Sequence, residues 1–71
     1  SGQEARALRR AIASLPEGQR EVLELRDLEG LAEREVAAIA GIPPGTVKSR
    51  LHHALKRLRG LLGSHGEEAT G

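Results

Sequence analysis

Three interruptions decide what this chain can fold into. Leu15-Pro16, Gly30 and the run Gly41-Ile42-Pro43-Pro44-Gly45 divide 71 residues into four segments. Proline cannot continue a helix interior or a central strand, and glycine ends helices at low cost. Each segment between them has apolar residues at helical spacing. Ala5, Leu8, Ile12 and Leu15 predict a helix from about Glu4 to Ser14. A second helix is expected to open at Pro16, carry Val22, Leu23, Leu25 and Leu28, and stop before Gly30. Gly18 in its first turn should weaken it by about 1 kcal/mol relative to alanine. A short third helix, Ala32 to Ala40, places Val36, Ile39 and Ala40 on its inner face and ends at Gly41. The fourth and longest runs from Pro44 to Leu62 and stops at Gly63. No period-two run of β-branched residues predicts a strand. The expected fold is all-α, with four helices and the longest last.

A chain of this length forms one small domain with a thin stability margin. It has no aromatic residue, so its core must be Leu, Val, Ile and Ala. It has no cysteine, which excludes disulfides and thiolate metal sites. No apolar run is long enough to span a bilayer, and no signal peptide is visible, so a cytoplasmic protein is expected. The Ser1-Gly2 start reads as a cleavage scar, with Ser1 to Gln3 unstructured, a domain over residues 4–63, and a disordered tail over 64–71. Glu21, Glu24 and Asp27 resemble a carboxylate cluster, but nothing nearby supplies a nucleophile or a pocket, so they read as a solvated helix face. Arg20 and Arg26 read as partners of nearby acids on the same helix. No enzyme activity and no cofactor are expected.

The formal net charge of +1 hides an uneven distribution. Ser1 to Ile42 holds six Arg against eight Asp/Glu. Pro43 to Gly63 holds Lys48, Arg50, Lys56, Arg57, Arg59 and two His, and no acid. At 100° per residue, Val47, Leu51, Ala54, Leu55, Leu58 and Leu62 form one stripe of the fourth helix. Thr46, Ser49, His53, Lys56 and Arg57 lie opposite. Lys48, His52 and Arg59 occupy one flank and Arg50 the other. A merely solvated helix mixes charge signs and uses Glu–Lys pairs four apart, and this one has none. A cationic helix face backed by an apolar stripe fits the DNA major groove, which admits one α-helix. The short third helix, the Gly-Pro turn and the long fourth form a helix-turn-helix without a wing, in which the start of the last helix reads bases. His52 and His53 are adjacent on the helix, with no cysteine or well-placed carboxylate to join them, so no metal site is expected.

The run Gly41-Ile42-Pro43, then Gly45-Thr46-Val47-Lys48-Ser49-Arg50-Leu51-His52, Ala54 and Leu58, resembles region 4 of bacterial RNA polymerase sigma factors. The likeness is to the extracytoplasmic-function (ECF) group. Upstream it includes Leu15-Pro16, Gln19-Arg20-Glu21-Val22, Leu25-Arg26, Leu28-Glu29-Gly30-Leu31 and Glu35-Val36-Ala37, and it covers about Leu8 to Leu62. The resemblance implies a domain that binds the minus-35 element of double-stranded promoter DNA with its last helix. It also implies docking on the β flap of RNA polymerase and, in many members of the group, capture by an anti-sigma protein. Carried over by position, Lys48, Ser49, His52 and His53 would face DNA, with Thr46 and Arg50 near the backbone. Lys56 and Arg57 would steer phosphate, and Arg34 would supply a phosphate contact from the third helix.

The sequence departs from the family's pattern at three places. His53 stands where arginine is common and cannot form arginine's fork to guanine. Ala32 replaces the usual Ser or Thr, and a lost N-cap costs about 1 kcal/mol. Glu33 replaces a frequent aromatic residue and would repel phosphate. Two other readings compete. A response-regulator output domain of the LuxR type shares four helices and a Thr-Val-Lys run, but usually has Ser at the Pro43 position and dimerises on its last helix, whereas a region 4 should be monomeric. A protein-docking module with little DNA binding is favoured by His53.

Overall fold

The computed structural model describes residues 2–63. Four α-helices make up most of that span: α1 Gly2–Ala13, α2 Glu17–Leu23, α3 Glu33–Ala40 and α4 Pro44–Leu62. No strand occurs among the described residues. The all-α, four-helix expectation holds, and helix α4 packs on each of the other three.

Each sequence break works by a separate device. After α1 the chain tightens: the Ser14 hydroxyl donates to Ala11 O at 2.7 Å, and the Leu15 N–H donates to Ile12 O at 3.1 Å. This drives Leu15 into the core, where it is only 3% exposed. Pro16 has extended backbone (φ −52°, ψ 145°) and is the N-cap of α2, one position before the first-residue place expected for it. Its carbonyl accepts the first helical hydrogen bond, from the Arg20 N–H. Helix α1 begins at Gly2, so Gly2 and Gln3 are helical where an unstructured lead was expected. The tail expectation for 64–71 lies outside the described residues.

Beyond Leu23 the helix widens into a π turn, Glu24–Leu28. This turn closes bonds five residues apart instead of four, as in Glu29 N–H to Glu24 O at 3.0 Å. The extra residue per turn corrects one expectation: Leu25 stays half-buried, but Leu28 swings outward and is 66% exposed. Gly30 then reverses the chain at φ +74°, a left-handed conformation that glycine adopts without a Cβ penalty. The Leu31 N–H returns to Leu25 O at 3.0 Å, and Arg26 Nη1 donates to Leu31 O at 3.2 Å. Arg20 Nη1 likewise donates to Ala13 O at 3.2 Å. Both arginines thus bind backbone carbonyls across loops, where intrahelical ion pairs were expected.

The core is two clusters. One joins Ala11 and Leu15 to Leu23, Ala54 and Leu58. The other joins Val22 to Val36, Ala37 and Val47. Val22 and Leu23 are neighbours in sequence and point about 100° apart on a helix, so α2 sits on the seam and feeds both. Leu51 of α4 packs against both clusters. On α3 the buried arc runs through Val36 and Ala37 with Ala40 half-buried, and Ile39 falls outside it at 60% exposure. The expected inner position of Ile39 is therefore corrected: the arc is centred between Val36 and Ala37, about 110° from Ile39 at 100° per residue. Leu62 and Leu8 are also exposed, because only the C-terminal half of α1 and the stretch of α4 up to Leu58 contribute buried residues.

Candidate nucleic-acid interface

The interface begins with the turn between α3 and α4. Gly41 takes φ +72°, and the N–H groups of Gly41 and Ile42 both donate to Ala37 O, at 2.8 and 3.1 Å. Ile42 packs on the second cluster. Pro43 is the extended N-cap of α4 and Pro44 its first residue. The Thr46 and Val47 N–H groups donate to Pro43 O at 2.9 and 3.2 Å. The two prolines supply fixed backbone where N–H groups have no helical partner, so α4 starts at a defined place and angle.

Helix α3 lacks a side-chain cap at Ala32, as the sequence implies, but the loss is partly offset. The Ala32 N–H donates to Glu35 Oε1 at 2.9 Å. This is the reciprocal half of a capping box, made without the hydroxyl half.

Behind the interface Val47 and Ala54 are fully buried and Leu58 nearly so, with Leu51 and Leu55 half-buried. In front, Lys48, Ser49, His52, His53, Lys56 and Arg57 are exposed, and Thr46 is half-buried. Arg34 is exposed on α3, the other helix of the helix-turn-helix. The His52 and His53 rings meet edge to face with centroids 5.6 Å apart. His53, Lys56 and Arg57 line one open groove of about 560 Å³ together with Gln19, Gly60 and Leu61. The groove brings α2 alongside the outer face of α4, which periodicity on α4 alone could not show.

Arg50 behaves differently from the other cations. It is half-buried, and its guanidinium lies against the backbone of Gly18 in the first turn of α2. A Cβ placed on Gly18 would come within 3.0 Å of Nη1 and 3.3 Å of Cζ. Sequence reasoning counted Gly18 only as a weak point in a helix. The signal that could have revealed more was that same poor propensity, since a glycine in a helical turn often marks a close approach. Gln19 was also missed: its Oε1 is buried and has no hydrogen-bond partner among the described residues.

The residues from 5 to 58 match the family described as sigma-70, region 4. The chain belongs to that family. This region 4 domain is 53% identical over 57 residues to the ECF RNA polymerase sigma factor RpoE of Cereibacter sphaeroides, covering 80% of this chain and 32% of that protein. It is 41% identical over 63 residues to the ECF RNA polymerase sigma factor SigE of Mycolicibacterium smegmatis, covering 89% of this chain and 24% of the relative. The ECF RNA polymerase sigma-E factor of Escherichia coli K12 is 51% identical over 45 residues, covering 63% of this chain and 24% of the relative. The region 4 domain thus spans about a quarter to a third of the length of these relatives. Among the described residues no helix is long and apolar enough to cross a membrane.

Proposed function

We propose that this region 4 domain binds the minus-35 element of double-stranded promoter DNA as part of an ECF sigma factor in transcription initiation. The observation that carries this reading is α4 itself. Its inner stripe is locked into both core clusters, and its outer face presents Lys48, Ser49, His52, His53, Lys56 and Arg57 with no acid anywhere on the helix. Lys48, Ser49, His52 and His53 face the bases, Thr46 and Arg50 the backbone. Lys56, Arg57 and Arg34 of α3 contact or steer phosphate. The protein acts without catalysis, as a monomer in the cytoplasm, docked on the β flap of RNA polymerase and, when repressed, covered by an anti-sigma protein. The domain alone binds in the range of about 10⁻⁴–10⁻⁶ M, and a second DNA-binding region tethered in the same sigma factor adds avidity.

A second reading, protein docking with little DNA binding, is favoured by the exposure of Leu8, Leu28, Ile39, Leu61 and Leu62 and by His53 in place of arginine. Titration of isotope-labelled domain at low salt separates the two. A short duplex carrying an ECF-type minus-35 element is compared with a scrambled duplex. The DNA-reading function gives shifts concentrated from Thr46 to Lys56 with the promoter duplex only. Equal, diffuse shifts with both duplexes overturn sequence reading and leave the docking function.

A further inference from the structure

We infer that Gly18 is a seat for Arg50, fixing its guanidinium at the edge of the DNA-reading face as a prepositioned phosphate ligand. This rests on the DNA-binding function proposed above and concerns how one of its contacts is set.

Among the helical glycines this approach is the tightest: a Cβ on Gly2 would meet only Arg6 Nη1, at 3.6 Å. Lys48, Lys56, Arg57 and Arg59 of α4 are all exposed, whereas Arg50 is half-buried. A Cβ on Gly18 would lie 3.0, 3.3 and 3.5 Å from Nη1, Cζ and Nε of Arg50, so much of the guanidinium plane rests on the glycine. Gly45 and Gly60, also helical, have nothing within 4 Å of such a Cβ. Arg50 has no hydrogen-bond acceptor or ion-pair partner among the described residues, where the side-chain donors Ser14, Arg20 and Arg26 all bind backbone carbonyls. Its N–H groups are therefore free while its plane is held. A guanidinium is weakly hydrated, flat and suited to bidentate phosphate contact. Holding it before binding removes part of the ordering cost that a free arginine carries. Alanine would suit a helical turn better than glycine, and the space it would fill is the space Arg50 occupies.

The test is a double-mutant cycle on the full 71-residue chain. Gly18→Ala, Arg50→Gln and the double variant are compared with wild type. Binding to the promoter-type and scrambled duplexes is measured by fluorescence anisotropy at several salt concentrations, and thermal unfolding is followed in parallel. Arg50→Gln should reduce the steepness of the log affinity against log salt plot by about one. Gly18→Ala should leave the melting temperature unchanged or raise it by a few degrees while weakening binding to both duplexes about threefold or more. In the Arg50→Gln background Gly18→Ala should have no effect on affinity. The seat is overturned if Gly18→Ala leaves wild-type affinity intact, or if it weakens both backgrounds equally. It is also overturned if Arg50→Gln lowers the melting temperature without changing the salt dependence, since Arg50 would then be packing alone. Failure of the wild-type chain to bind any duplex refutes the DNA function before a variant is compared, and the seat falls with it.

Discussion

Gly41→Ala isolates the conformational demand of the turn that aims α4. Gly41 sits at φ +72°, ψ 34°, and a Cβ there meets nothing within 4 Å. No steric clash contributes, so the whole effect is the left-handed backbone, about 1–2 kcal/mol for a residue with a Cβ. The hydrogen bonds from Gly41 and Ile42 to Ala37 O need not break. A domain of this size holds about 3–5 kcal/mol in total, so the substitution removes about a fifth to two thirds of it. At about 4–8 °C per kcal/mol, the melting temperature should fall by about 4–16 °C. Thermal and urea unfolding followed by far-ultraviolet circular dichroism measures it, with Gly60→Ala as control. Gly60 lies within α4 and also has nothing within 4 Å of a Cβ, but its backbone is helical, so alanine there should stabilise by up to about 1 kcal/mol. Two glycines in equally open surroundings should thus respond with opposite signs. Shifts of the same sign, or a Gly41→Ala variant as stable as wild type, would refute the claim that backbone conformation sets the cost. Asparagine at position 41 tolerates the left-handed region better than alanine and should lose less.

Leu23→Ala, at a site 3% exposed, should cost about 2–5 kcal/mol and sharply lower the urea midpoint. Leu28→Ala, at a site 66% exposed, should change the midpoint by no more than about 0.5 kcal/mol, which checks the outward turn made by the π segment. Glu35→Ala removes the acceptor of the Ala32 N–H and should cost about 0.5–1 kcal/mol, with faster amide exchange at Ala32. Lys48→Ala should weaken binding to the promoter duplex, and an unchanged affinity would show that the docking face is misassigned. For the wild-type domain, four or five cationic contacts predict a plot of log affinity against log salt with a slope of about −4, and a flat plot would exclude phosphate contacts.

Most of the fold was legible because the breaks are chemical. Gly30, Gly41 and the Pro43-Pro44 pair each act where the sequence placed them, Pro16 acts one position earlier as an N-cap, and α4 begins at Pro44 and ends at Leu62 as expected. The errors arose where an ideal 100° repeat was extended through a segment that does not keep it, or where tertiary packing chose the buried arc. Leu28 turned out because the π segment adds a residue per turn. Ile39 turned out because contact with α2 and α4 centres the arc of α3 between Val36 and Ala37. The outer face of α4 was legible from one helix alone. Its relation to α2 was not, because Gln19 beside His53 and Gly18 beneath Arg50 are pairings between segments about 30 residues apart, and no local pattern encodes them.

The chain has too little core to separate the elements that hold it together from those that present its charges. Helix α4 must do both, and the residues alternate closely: buried Val47 stands beside Lys48, and buried Ala54 beside His53. Neighbouring residues on a helix share one backbone, so the packing of Val47 against Val22 and Val36 fixes the backbone from which the exposed Lys48 side chain projects. Under the proposed function, a face built this way would need no loop to order on binding, and its cations would stay available to DNA instead of being spent on intrahelical pairs. The cost falls on stability, because a helix with no acid forgoes every Glu–Lys pair that would have supported it. The apolar stripe, anchored in both clusters through Leu51, is what allows α4 to leave its cations without acidic partners among the described residues.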